Sequence, residues 1–226
     1  MLVTVSLYPT MRVLFFDTET NGLPRYRTSV DAADWPAVVQ IAWQVWDFSA
    51  DTPVLQSACS YIVKPPASLA WDPGSQAIHT ISREQVLAEG TEPAEVWAEF
   101  AEALRTATVL VAHNLAFDKK VVESDAIRRG AAPYHWPPHE CCTMMLSKTF
   151  CRLPSMYPRA EDPYKYPKLS ELHALLFGNE RLIHFHNASV DVDCTVQCFR
   201  RLVELNVISL REWRLAVRAP LREGDP

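Results

Sequence analysis

Arg12-Val13-Leu14-Phe15-Phe16-Asp17-Thr18-Glu19-Thr20-Asn21-Gly22 joins an unbroken run of large apolar residues to two acids spaced two apart. Val13 to Phe16 predicts a short strand buried on both faces, and the run ends at Asp17. Residues two apart on a strand point to the same side, so Asp17 and Glu19 aim into one space. Two carboxylates at the edge of a core lose hydration and repel each other, and no Lys or Arg lies between them. A divalent cation with oxygen ligands would relieve both penalties. Asn21-Gly22 then turns the chain away. The alternative is two solvated acids in a turn, and a D-x-E spacing alone does not separate the two.

Composition narrows the classes. The chain has 226 residues, 48% hydrophobic and 22% charged, which suits a globular domain with a core that needs no staples. Its net charge of −5 argues against tight nonspecific duplex binding, though an enzyme that grips phosphate through cations is compatible with it. The six cysteines, Cys59, Cys141, Cys142, Cys151, Cys194 and Cys198, show no disulfide-framework spacing and read as reduced thiols of a cytoplasmic protein. No signal peptide and no membrane span are expected. Residues 1–10 read as a loose lead-in, with Met11 as an alternative start.

Outward from the first strand, Arg25 to Pro36 reads as a loop. Val38 to Phe48 reads as a long strand and Leu55 to Val63 as its antiparallel partner. Pro65 to Gly74 is expected to be loop, and Ser82-Arg83-Glu84-Gln85 has the form of a capping box that opens a short helix. Glu92 to Thr106 predicts a helix with Val96, Trp97, Phe100 and Leu104 on one face. Thr108 to Ala112 is a second short apolar strand, ending in His113-Asn114. A helix from Ala116 to Arg129 follows, stopped by Gly130. Ala131 to Glu140 reads as a Pro-rich loop and Cys141 to Lys148 as a strand passing into a helix. Phe150 to Pro167 is expected to be a long irregular loop of a kind often functional. Leu169 to Phe177 reads as a helix ended by Gly178, Asp191 to Leu205 as a core helix, and Ser209-Leu210-Arg211-Glu212 as the cap of a terminal helix reaching Arg218. This order of elements implies an α/β fold with a mixed sheet.

Further acids stand at the edges of apolar elements. Asp118 shares a helix face with Val121 and Val122, so it points to the core. Taken singly, it equally fits a helix-start acid stabilised by the macrodipole, a gain of roughly 0.3–1 kcal/mol. Asp191 lies on one stripe with Cys194, Cys198, Leu202 and Leu205, and His186 stands in the loop just ahead of it.

Three segments together carry a resemblance. Phe16-Asp17-Thr18-Glu19-Thr20 with Asn21-Gly22-Leu23, then His113-Asn114 with Phe117-Asp118, then His186-Asn187-Ala188 with Asp191 resemble, in order, the three motifs of the DEDDh 3′–5′ exonucleases. That family includes proofreading subunits of bacterial DNA polymerases, ribonuclease T and oligoribonuclease. The match runs from about Arg12 to Leu205, and the His-bearing third motif distinguishes this branch from the Tyr-bearing one. Gln40-Ile41-Ala42, Ile78-His79-Thr80-Ile81 and Leu169 to Gly178 are also similar to the family. Ser189-Val190 departs from it where Leu is common, and the Phe150 to Pro167 insert is longer than its pattern.

The resemblance implies a ribonuclease-H-like mixed sheet of about five strands flanked by helices, over an exonuclease domain of residues 11–207 with a C-terminal helix and tail over 208–226. It implies two ions, Mg²⁺ or Mn²⁺, roughly 3.5–4 Å apart. Asp17 would bridge them, Glu19 and Asp191 would complete one shell, and Asp118 would hold the other. His186 is implied as the general base, since imidazole can be neutral near physiological pH. Thr18, Thr20, Leu23, Asn114 and Phe117 are implied contacts to the terminal nucleotide. The expected substrate is a single-stranded or frayed 3′ end, DNA favoured and RNA open. A polymerase partner or a homodimer is an open expectation. A catalytically silent module that binds nucleic acid or a polymerase is the alternative, and a metal phosphatase a third.

Overall fold

In the computed structural model, which describes residues 10–26, 29, 31–66, 69–130, 134–178, 185–211 and 213, the opening stretch forms β1 (Arg12–Thr20). Four strands join it in one sheet: β2 (Val38–Asp47), β3 (Val54–Ile62), β4 (Val109–Ala112) and β5 (His139–Cys142). The order is β3-β2-β1-β4-β5, with β1 antiparallel to β2 and parallel to β4. β2 and β3 pair antiparallel, and β4 and β5 pair parallel.

β1 does not end with its apolar run. Pairing with β2 carries it through the acids to Thr20, with a register shift between Glu19 and Thr20. Period-two alternation then sorts its side chains. Val13 and Phe15 enter one core with Phe199 and Leu202, while Leu14 and Phe16 enter another with Trp43, Val96 and Phe100. Phe15 meets Phe199 edge-on at 5.1 Å between ring centroids, and Phe16 lies 5.6 Å from Phe100. Each such buried ring contributes about 1.5–3 kcal/mol relative to leaving it in water.

The helices in chain order are α1 (Pro73–His79), α2 (Arg83–Glu89), α3 (Pro93–Thr106), α4 (Leu115–Arg128), α5 (Thr143–Cys151), α6 (Leu169–Phe177) and α7 (Ala188–Glu204). α3 buries Val96, Trp97, Phe100 and Leu104, the face its spacing predicts. Ser82 caps α2 by accepting from the Gln85 N–H, and Gly130 follows α4 with φ +70°. α1 occupies the end of the expected 65–74 loop and continues past it; Asp72 caps it and Pro73 opens its first turn. A single 3-10 turn, Ala32–Asp34, interrupts the Arg25 to Pro36 loop.

The expected irregular loop from Phe150 to Pro167 is instead a hairpin of β6 (Pro154–Arg159) and β7 (Asp162–Tyr164). A two-stranded ribbon, whose strands are both edges, is a setting that tolerates its prolines. α7 starts at Ala188, three residues ahead of the expectation, because Asn187 Oδ1 accepts from the Ser189 N–H and caps it. Leu205 is 40% exposed and lies off the buried stripe of Cys194, Cys198 and Leu202, since the helix ends at Glu204. Ile208 and Leu210 are buried in the core beside α7, and Trp213 stacks on Phe199. The rest of the expected terminal helix, the lead-in before Thr10 and residues 131–133 of the Pro-rich loop lie outside the described residues. No helix among the described residues is long and apolar enough to cross a membrane.

Candidate active site

The alternation of β1 decides which neighbour each motif residue meets. Asp17 and Glu19 continue the face of Val13 and Phe15, the side covered by α7. Thr18 continues the other face, toward α4. α7 therefore brings Asp191, in its first turn, to the acids of β1, and α4 brings Asp118. Asp118 is 3% exposed and Asp191 8% exposed. Leaving a carboxylate this buried requires hydrogen bonds or a countercharge.

Asp118 and Asp191 are each partly satisfied from within the fold. The Thr18 hydroxyl donates to Asp118 Oδ1 at 2.8 Å and the Thr18 N–H to the same oxygen at 3.2 Å. The His186 N–H donates to Asp191 Oδ2 at 3.0 Å, from a residue held at φ +72°. Gln40, buried on β2 opposite Glu19, accepts from the Ala188 N–H at 3.0 Å and ties the start of α7 to the sheet. Asp191 Oδ1, though buried, has no hydrogen-bond partner among the described residues.

Burial raises the pKa of all four carboxyls, and neighbouring acidic charges add to it at Asp17, Glu19 and Asp118. Burial and then the charges of Asp118, Asp191 and Glu19 push Asp17 well above the usual carboxylate range. Burial, with Asp191 and Asp118 beside it, lifts Glu19 to about 8. Burial lifts Asp118 to about 7 against the opposing Thr18 bonds, and Asp191 to about 6 against the His186 N–H. Oxygen or nitrogen atoms of Glu19, His186 and Asp191 all lie within 4.8 Å of one another. An orphaned carboxylate oxygen amid four mutually repelling acids is the environment a hard divalent cation fits, and the donors are mainly oxygens. His186 is exposed and stands beside Glu19 and Asp191, near enough for the three to share one ion, in the loop ahead of Asp191 where the resemblance sets it.

Next to these acids, Leu23, Pro24, Trp35, Asn114, Phe117 and Lys120 line a cleft of about 520 Å³. Leu23 is 73% exposed, and Asn114 opens α4 at φ +76° without a side-chain capping bond, which leaves its amide to the cleft. Trp35 lies 6.0 Å from Phe117, ring to ring. Thr18 and Thr20 do not reach this cleft with their hydroxyls: Thr18 is bound to Asp118, and Thr20 donates to Gly22 O at 2.7 Å.

Sequence reasoning assigned no role to Trp35, Lys120, Gln40 or Arg128. For Gln40 a signal existed, a lone polar residue inside a run of buried β2 positions. Arg128 donates to Ala32 O, Trp35 O and Pro36 O at 2.7, 2.6 and 2.8 Å and to Asp125 Oδ1 at 2.9 Å, so it fixes the segment bearing Trp35. Nothing local in the sequence marks that clamp.

The sequence model of the RNase T family, described as exonuclease, matches residues 14–199. No curated protein sequence matches the chain. Among solved structures, it resembles a moderately thermophilic exonuclease I from Methylocaldum szegediense at 19% identity and a TM-score of 0.66, covering 86% of this chain and 40% of that one. It also resembles the zinc-bound E. coli exonuclease I–single-stranded DNA complex at 20% identity and a TM-score of 0.66, covering 90% of this chain and 42% of that one. A third is E. coli exonuclease I with a dT13 oligonucleotide, at 19% identity and a TM-score of 0.67, covering 92% and 44%. The chain thus spans about two fifths of the length of these structures. At such identities the likeness speaks for a shared ribonuclease-H-like α/β fold.

Proposed function

Because the chain belongs to the RNase T family of exonucleases, of the DEDDh group, we propose that it is a metal-dependent 3′–5′ exonuclease acting on single-stranded DNA ends. The observation that carries this is the convergence of Asp17, Glu19, Asp118 and Asp191, from three separate elements, with Asp191 Oδ1 left unpartnered. DNA is favoured over RNA because the solved structures with this fold include exonuclease I complexes with DNA oligonucleotides.

The four carboxylates, Asp17, Glu19, Asp118 and Asp191, would hold two ions, Mg²⁺ or Mn²⁺. When bound, such ions supply charge stabilisation at the scissile phosphate and acidify the attacking water. Leu23 and Phe117 would hold the terminal base in the cleft and Asn114 would hydrogen-bond to it, so that the last phosphodiester lies over the acids. Thr18 keeps Asp118 oriented, and Gln40 keeps the start of α7 against β2. His186 would take the proton from the attacking water; its exposed position beside Glu19 and Asp191 suits that role. The free thiols at all six cysteines support a cytoplasmic setting. Residues 11–207 would form the exonuclease domain. The burial of Ile208 and Leu210 supports reading the start of the 208–226 piece as packed on it.

The test is degradation of matched DNA and RNA oligonucleotides, single- and double-stranded, in Mg²⁺ or Mn²⁺, with the 5′ end labelled. The expected result is a ladder shortening from the 3′ end, fastest on single-stranded DNA and absent in the Asp17→Asn variant. Binding without cleavage in either metal would instead establish a silent nucleic-acid-binding module, and cleavage that persists in Asp17→Asn would remove the proposed centre.

A further inference from the structure

The β6–β7 hairpin presents chemistry that the active site does not use. Over residues 145–168 there are five basic and two acidic residues, in a chain whose net charge is −5. The same stretch exposes Met156 at 86% and Tyr157 at 85%, the most exposed large apolar side chains among the described residues. Tyr166 is 47% exposed, with Lys148 Nζ 4.4 Å from its ring centroid. Lys148 and Lys165 are neutralised by Asp162 and Glu171, but Arg152 and Arg159 have no ion-pair partner among the described residues. Exposed aromatics interleaved with unpaired guanidinium groups form a surface for stacking bases and neutralising phosphates.

The hairpin is also firmly tied to the catalytic end of the sheet. The Lys165 N–H closes its base on Leu153 O at 2.9 Å. Two residues on, Pro167 O accepts from His113 Nε2 at 3.0 Å, and His113 directly precedes Asn114 of the nucleotide cleft. A strand whose 3′ end lies in that cleft therefore has a basic, aromatic surface rooted one residue from it.

On the premise of the exonuclease activity above, we propose that the β6–β7 hairpin is a strand-tracking surface, on which Tyr157 stacks a base and Arg152 and Arg159 neutralise phosphates upstream of the scissile bond. Its occupant is single-stranded nucleic acid, recognised by backbone charge and base faces, without sequence preference. The hairpin takes no part in the chemical step. It sets affinity for chains long enough to reach it.

The double variant Tyr157→Ala/Arg159→Ala tests this, with circular dichroism confirming the fold. Two substrates are compared, an oligothymidylate of about twenty nucleotides and a thymidine trinucleotide that fills only the cleft. KM for the long strand should rise at least about fivefold, with kcat unchanged and trinucleotide kinetics unaltered. An unchanged KM on the long strand, or an equal rise on the trinucleotide, overturns the proposal. Anisotropy with the labelled long strand in EDTA, in an Asp17→Asn background, reads the surface independently of catalysis. Affinity should fall at least about fivefold, and the salt dependence should flatten by about 0.7 log per log, because one phosphate fewer is neutralised. Should the wild type cut neither substrate, the exonuclease assignment fails while this binding arm still decides the hairpin. Unchanged affinity, or a changed oligomeric state in its place, rejects it.

Discussion

Thr18 Oγ1 donates a 2.8 Å hydrogen bond to Asp118 Oδ1 across one hundred residues of sequence. The bond is buried, and it joins the side chain between the two acids of β1 to the acid of α4. A hydroxyl bonded to a carboxylate out of water is worth about 1.5–3 kcal/mol, and it favours the ionised acid. Thr18→Val keeps the shape and removes the donor. The expected result is weaker metal binding and about a tenfold loss of kcat/KM, one bond's worth, with Thr18→Ser restoring both. Equal activity in Thr18→Val and wild type would show that the N–H bond alone suffices to orient Asp118.

Asp17→Asn and Asp191→Asn each remove one of four converging charges. Turnover should fall below about one-hundredth of wild type, the scale of losing a main electrostatic stabiliser of the transition state. Metal-free stability should move the other way at pH 8, because each substitution relieves like-charge repulsion in a buried cluster. Thermal melts in EDTA measure it. A lower melting temperature for both variants would contradict the idea that the acids chiefly repel one another.

The same charges set a pH dependence. Asp118, Asp191 and Glu19 hold protons in the metal-free fold up to about 7, 6 and 8, above the ordinary carboxylate range of an unfolded chain. At these three carboxyls the folded state therefore binds more protons than the unfolded one between about pH 4 and 8, so their contribution to stability falls as pH rises through that window, most plainly above about pH 6.5, where the buried His113 and His79 no longer oppose it. A divalent cation removes the repulsion, so Mg²⁺ should raise the melting temperature more at pH 8 than at pH 5. Melting curves across that range, with and without EDTA, decide it. A metal-free melting temperature that climbs from about pH 6.5 to pH 8 would refute the account.

Arg128 ties α4 to the Ala32–Trp35–Pro36 segment while pairing with Asp125, whose side chain is wholly buried. Arg128→Ala leaves Asp125 with Arg129 alone and should cost about 3 kcal/mol, the lower end for breaking a buried pair. KM for oligonucleotides should rise with kcat little changed, because Trp35 loses its support against Phe117 at the cleft wall. Arg128→Lys should not restore KM, since one ammonium cannot span the carbonyls and the carboxylate together. Chemical denaturation and steady-state kinetics on the same preparations separate the stability effect from the cleft effect. An unchanged KM would leave Arg128 purely structural.

The parts legible in the sequence are those governed by period and by neighbours a few residues away. Val96, Trp97, Phe100 and Leu104 fall at helical spacing and are buried together on α3. Ser82 caps α2 through a donor three residues on. The hairpin at 154–164 was not legible, because its prolines suppress the usual strand signal and its pairing is irregular between Pro154 and Arg159. Asp118 and Asp191 were each ambiguous alone, and only their resemblance to ordered motifs singled them out.

From the chain alone came the alternation that sends Asp17 and Glu19 to one side of a buried strand, the helical stripes carrying Asp118 and Asp191, and the lack of a covalent framework. Tertiary structure alone decided that Thr18 braces Asp118, that Gln40 holds the start of α7 and that Arg128 fixes Trp35. Periodicity and capping are properties of consecutive residues, so they survive in the one-dimensional record. A buried donor chooses its acceptor from whatever packing brings within about 3 Å, and that choice exists only once the sheet and helices have closed around it.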